Sequence, residues 1–183
     1  MKVVVLLLGL IVASPIVIVV GARNCLKATI APSNKNATSG TYVYPNVKGT
    51  VRICFPSLTS TWGTLNMDVQ NLRPNIKAGI TSGGVHVHVG TSCSTNNTQL
   101  GHYFKPAKTG FKKDGDPWYP QKSNIALNGT GYTTNSAGQA KTTFQFNQGY
   151  GYNATVGKVI VIHDANTTIA KNKRIACGKL VKV

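Results

Sequence analysis

Past residue 22 the chain shows no sustained 3.6-residue period of apolar positions. Short runs rich in β-branched residues take its place, cut by Gly, Pro, Asn and Ser, which is the pattern of β-strands. The predicted strands are CLKATIAP (25–32), VKGTVRICF (47–55), TLNMDVQNL (64–72), GVHVHVG (84–90), AKTTFQFN (140–147), GKVIVIHD (157–164) and ACGKLVKV (176–183). Residues 33–45 read as a loop or irregular hairpin. Residues 105–124, rich in Lys, Gly, Pro and Asp, read as a long surface loop. Regularly spaced short strands argue for one antiparallel sandwich or barrel. No internal repeat or linker marks a second domain, and 183 residues suffice for one domain with a genuine core.

The first 22 residues differ from the rest. Met1 and Lys2 precede an almost unbroken apolar run ending in the small residues Val20, Gly21 and Ala22. This is the layout of a secretory signal cleaved after Ala22, leaving a 23–183 domain. The run is longer than a usual signal core, so an uncleaved membrane anchor is the alternative. Export agrees with the sequons at Asn36, Asn96, Asn128, Asn153 and Asn166, which suggest a glycosylated surface. It also agrees with an even set of cysteines, Cys25, Cys54, Cys93 and Cys177. Two disulfides are expected in an oxidising compartment, and spacing alone allows three pairings.

Charge narrows the chemistry. Without residues 1–22 there remain 19 basic residues against 4 acidic ones, a net charge of +15. The acids are Asp68, Asp114, Asp116 and Asp164, and there is no Glu. Catalysis by paired glutamates is excluded, and a carboxylate cage for calcium or magnesium is disfavoured. The partner or substrate is expected to be negative: a small anion, a glycan polyanion, an acidic membrane or nucleic acid.

The histidines number only four, and two of them stand one residue apart in GGVHVHVG (83–90). On a strand, His86 and His88 project from one face, with Val85, Val87 and Val89 on the other. Two imidazoles on one face can chelate a metal. His102 follows a loop in LGHYFKP, and His163 closes the apolar run GKVIVIHD. Neutral imidazoles suit copper or zinc, and the shortage of other ligand types favours copper over a hard, oxygen-seeking cation.

The ordered set GGVHVHVG, GHYFKP, VIVIHD and KRIACG resembles the Cu/Zn superoxide dismutase family over residues 25–183. The resemblance implies a Greek-key β-barrel of about eight strands with long loops. It implies copper ligation by His86, His88, His102 and His163, one copper per chain. It also implies that Arg174 holds superoxide beside the metal, and that Cys93 pairs with Cys177. Cys25 and Cys54 are extra to the family pattern; they fall on the first two predicted strands, where a second bridge is sterically sensible.

The chain departs from that pattern in two respects. No histidine lies between His102 and His163, so the family's zinc site cannot be assembled. Only DANTTIAKNK separates His163 from Arg174, so the family's long electrostatic loop is missing. The chain therefore resembles the secreted, copper-only branch, and zinc is not expected. The GDPW motif (115–118) is similar to a feature of some copper-only relatives.

The activity implied is dismutation of superoxide to oxygen and hydrogen peroxide. His102 is the candidate to release the reduced metal and carry a proton, with Arg174 as the second catalytic residue. With no zinc to orient His102, Asp114 or Asp116 is the candidate acceptor for its far nitrogen, the alternative being that both merely make turns. Lys105, Lys108, Lys112 and Lys113 follow His102, and Lys171 and Lys173 precede Arg174. Both groups can form a positive funnel for the anion or dock an anionic glycan at a cell surface. Tyr103, Trp118 and Tyr119 either pack their loop, shield the site or stack on sugars.

A catalytically silent relative that binds copper or a polyanion is the competing reading. A basic glycan- or nucleic-acid-binding β module does not account for the placement of the histidines, and specific nucleic-acid binding is not expected. A mono-oxygenase with an N-terminal histidine ligand is disfavoured, since cleavage would leave Arg23 first. A copper chaperone would use Met or open Cys ligands. A monomer or weak dimer is expected.

Overall fold

The computed structural model describes residues 24–33, 38–39, 42–77, 84–105, 116–118, 131–164 and 173–183. The predicted signal segment lies outside them. Among the described residues no helix is long and apolar enough to cross a membrane.

The fold is all-β. Strands β1 (Asn24–Pro32), β4 (Lys48–Phe55), β5 (Trp62–Gln70), β6 (Val85–His88), β7 (Ala140–Asn147), β8 (Val159–His163) and β9 (Arg174–Lys179) form one antiparallel sheet in the order β6-β8-β9-β1-β4-β5-β7. A short β10 (Val181–Lys182) pairs with β1. The two-residue strands β2 (Thr38–Ser39) and β3 (Tyr42–Val43) pair with each other, the irregular hairpin expected there. The chain passes from β5 at one side of the sheet to β6 at the far edge, then back to β7. Among the described residues, two helical turns, α1 (Asn96–Gln99) and α2 (Tyr152–Thr155), carry no apolar period and were not predicted.

Alternation decides what faces inward. Leu26, Ala28 and Ile30 of β1, Val51, Ile53 and Phe55 of β4, and Leu65, Met67 and Val69 of β5 are buried together. Val85, Val87, Ile160, Ile162 and Ile175 join them from the other side. Burying a side chain of this size contributes roughly 1.5–3 kcal/mol, so this interior holds the sheet curled. β5 begins two residues earlier than its pattern suggested, at Trp62, because Gly63 faces inward beneath the Phe146 ring. The expected single C-terminal strand breaks at buried Leu180, whose N–H donates to the Lys158 carbonyl.

Both disulfides form. Cys25 and Cys54 face each other directly across β1 and β4 and are bonded. Cys93 is bonded to Cys177 of β9, tying the loop after β6 to the sheet. Of the expected surface loop 105–124, the described part is not all surface: Trp118 is completely buried.

Candidate metal centre

On β6, Val85 and Val87 enter the core and His86 and His88 leave by the opposite face. These histidines are nevertheless buried, because the chain after α1 folds back along the edge of β6. Val89 donates its N–H to the Gly101 carbonyl and Tyr103 to that of Val87, so His102 lies against His88 as an antiparallel bridge. Gly90 permits this approach: a Cβ there would stand 2.1 Å from the Thr98 carbonyl oxygen. His163 arrives on β8, antiparallel to β6, where the register shifts between Ile162 and His163. Such an irregularity re-aims a side chain. Arg174 is the cross-strand partner of His163 on β9.

The four imidazoles converge. One ligand atom from each of His86, His88, His102 and His163 lies within 4.8 Å of all the others. The ring nitrogens of His86 are buried and have no hydrogen-bond partner. Buried polar atoms are rarely left so, and a metal ion would satisfy one of them. The Nε2 atoms of His88 and His163 are 3.2 Å apart, a spacing that needs a proton or a cation between them. The remaining nitrogens are engaged from outside. His88 Nδ1 donates to the Leu100 carbonyl at 2.9 Å. His102 Nδ1 lies 2.7 Å from Asp116 Oδ2, and with the carboxylate accepting, the proton resides on Nδ1. Both contacts leave Nε2 for a metal. Burial holds His86 well below the usual histidine range, helped by the charges of the other three. Burial likewise takes His88 down to about 3, against the opposing hydrogen bond to Leu100. Both rings are neutral at neutral pH, the state that ligates. The buried cluster can therefore bind a metal ion.

Asp116 is the aspartate that meets His102; Asp114 lies outside the described residues. Its other oxygen accepts the Trp118 N–H at 2.9 Å, and the Trp118 indole donates to the Tyr103 carbonyl at 3.0 Å. Trp118 packs against Phe146 and lies near His86, so its role is to anchor the loop that delivers Asp116. Tyr103 stacks on Tyr150 and donates to the Ala154 carbonyl, which is also packing. Tyr119 is not among the described residues.

The Arg174 guanidinium donates to the carbonyls of Asn96 and Leu100. Leu100 thus ties Arg174 to His88 through one oxygen. It does so at φ 58° and ψ −154°, a region that non-glycine residues rarely occupy. Lys105 and Lys173 are exposed; Lys108, Lys112, Lys113 and Lys171 lie outside the described residues. Asn96 and Asn153 are exposed, as sequons require, and Asn36, Asn128 and Asn166 lie outside.

Some residues of the site gave no signal in the sequence. Asp164 is completely buried and pairs with Arg73 at 3.2 Å, across 91 residues of chain. Tyr132 donates its hydroxyl to the His163 carbonyl at 2.8 Å, while the His163 N–H donates to Gly84. Burial first, then Asp164, raises the pKa of Tyr44, and the same causes raise that of Tyr132, so both hydroxyls remain donors. His163 is thereby fixed on both sides of its backbone.

Compared with known proteins, the chain matches no protein-family model and no curated relative.

Proposed function

We propose that this chain is a secreted, copper-dependent superoxide dismutase that works without zinc, converting superoxide to oxygen and hydrogen peroxide. The observation that carries the reading is the buried cluster His86, His88, His102 and His163, with Arg174 opposite His163 and tied to His88 through Leu100. An all-imidazole donor set suits copper. When bound, copper supplies the one-electron couple that oxidises one superoxide and reduces the next.

The chain's own residues do the rest. Asp116 keeps the His102 proton on Nδ1, so Nε2 is the atom that ligates or exchanges a proton. His102 is the least buried of the four rings, and a proton can reach it from solvent. Arg174 commits donors to two carbonyls, which fixes its fork and leaves others of its five donors for a small oxyanion. Trp118, itself completely buried, lies beside His86 on the interior side. The two disulfides fit an oxidising, extracellular setting.

A second reading, a catalytically silent copper- or polyanion-binding relative, draws on the same contacts of Arg174, if both carbonyls hold it away from the anion. One experiment separates them. The mature protein is loaded with copper, its metal content is measured, and dismutation is assayed in the wild type and in Arg174→Ala. The dismutase reading expects one copper per chain and activity that falls with Arg174→Ala. Bound copper with no activity in the wild type assigns the protein to the second reading.

A further inference from the structure

We propose that the outer face of β1, β4, β5 and β7 is a binding site for an acidic oligosaccharide, with Trp62 as its stacking platform and Arg52 with Lys27 as its anion-holding pair. This face belongs to the part of the sheet that does not carry the histidines, and the proposal does not depend on copper.

The outward positions run in rows across the strands. One row reads Lys27, Arg52, Asn66 and Thr143, each directly opposite the next. Like charges directly opposite one another weaken a sheet. Among the described residues neither Lys27 nor Arg52 enters an ion pair. The acid on this face, Asp68, sits in the adjacent row and is taken by Lys141 at 3.5 Å. The fold thus carries an exposed like-charged pair with no ion-pair partner among the described residues, which an external anion would neutralise.

Beside that pair lies a groove of about 440 Å³, lined by Pro56, Trp62, Thr64, Asn66 and Gln145 among others. Asn66 belongs to both features, so the groove and the cationic pair are contiguous. Thr143 donates its hydroxyl to Asn66 Oδ1 at 2.9 Å, which identifies the other end of that amide as the N–H₂ donor. Trp62 is 50% exposed, whereas Trp118 is fully buried.

A flat apolar ring, uncharged amides and hydroxyls around it, and a guanidinium at one end match a pyranose bearing carboxylate or sulfate. The indole covers the sugar's C–H face, the amides and hydroxyl meet its hydroxyls, and Arg52 takes the oxyanion bidentately. A nucleic-acid strand would instead call for successive stacking rings, and this groove offers one exposed ring, Trp62, its other aromatic residue Phe55 being buried.

The test uses the mature protein, metal-free and copper-loaded, with a sulfated, uronate-containing octasaccharide as the probe. Its desulfated form and single-stranded DNA of equal charge are run beside it. Binding of the sulfated probe should perturb Trp62 emission, with buried Trp118 as the unmoved background. Trp62→Ala and Arg52→Gln should each weaken binding by about tenfold or more. Trp62→Tyr should retain most of it, which separates loss of stacking from misfolding. Lys77→Gln, which removes the same charge from an exposed residue outside these strands, should change affinity by less than about twofold. Dismutation by Trp62→Ala should equal that of the wild type, so failure here is distinct from failure of the copper reading. Equal losses in Arg52→Gln and Lys77→Gln would mean diffuse electrostatics and overturn the proposal. So would DNA binding as tight as the sulfated probe's, or a self-association abolished by Trp62→Ala in the absence of oligosaccharide binding.

Discussion

Asp116→Asn tests how His102 is made a ligand. The carboxylate accepts from His102 Nδ1 at 2.7 Å through one oxygen and from the Trp118 N–H at 2.9 Å through the other. An asparagine can satisfy only one of these donors. If its oxygen stays on Trp118, its N–H₂ faces Nδ1 and favours the tautomer with the proton on Nε2, the wrong atom for ligation. If the amide flips, His102 keeps its tautomer and the Trp118 N–H is left facing a donor. Either way one bond is lost; the charge-assisted bond to His102 is worth about 1.5–3 kcal/mol. At 1.4 kcal/mol per factor of ten, copper affinity should fall roughly 10–100-fold. The fold should survive, since Trp118 remains buried among Phe146 and the core. Copper affinity is measured by competition with a chelator of known strength, and dismutation is measured with copper held saturating. An Asn variant that binds copper within about twofold of the wild type would refute the idea that the Asp116 carboxylate strengthens His102 as a ligand.

Other perturbations probe the frame around the site. Arg73→Met removes the ion-pair partner of Asp164, whose side chain is 0% exposed. Breaking a buried pair by removing one partner costs about 3–5 kcal/mol, so Tm should drop by roughly 10 °C; an unchanged Tm would show that the pair contributes nothing. In the metal-free protein, His86 and His88 stay neutral when folded and take up protons when unfolded. Stability should therefore be full above pH ~6.5 and decline as the pH falls below it, by up to about 1.4 kcal/mol per pH unit for each histidine, the His88 contribution being lost by about 3; denaturant titrations that are flat with pH below ~6.5 would contradict this. Gly90→Ala pushes a methyl into the Thr98 carbonyl, displacing the turn that carries Leu100 and His102. A loss of about 1–3 kcal/mol together with weakened copper binding is expected, read by thermal denaturation and metal titration.

Much of the sheet was legible because period-2 alternation is local. The run at 140–147 became β7 with the same bounds, and inward residues such as Val51, Ile53, Leu65 and Met67 follow from the pattern alone. The histidines were legible for a different reason: only four exist, and placing two at i and i+2 on one strand face is a local statement. Their closure into one cluster depends on the pairing of β6 with β8 and on the fold-back at His102, which no window of sequence contains. Arg73 shows the limit most clearly. It sits in the turn-like NLRPN and gives no hint of an aspartate 91 residues away. Leu100 acts through its backbone carbonyl, so its side-chain type carries no information about the role. Trp118 was legible as an aromatic that packs its loop, and it does; the Lys-, Gly- and Pro-rich segment around it reads as surface and did not show that its indole is fully buried or that it anchors Asp116 at His102.

The central claim is that His86, His88, His102 and His163 close on one redox-active ion. The most direct measurement is copper titration of the metal-free mature protein, followed by electron paramagnetic resonance of the cupric form. The account predicts saturation at one equivalent, nitrogen hyperfine structure from imidazoles alone, and loss of that spectrum in His86→Ala. Saturation below one equivalent, a preference for stoichiometric zinc, or an unaltered spectrum in His86→Ala would contradict it.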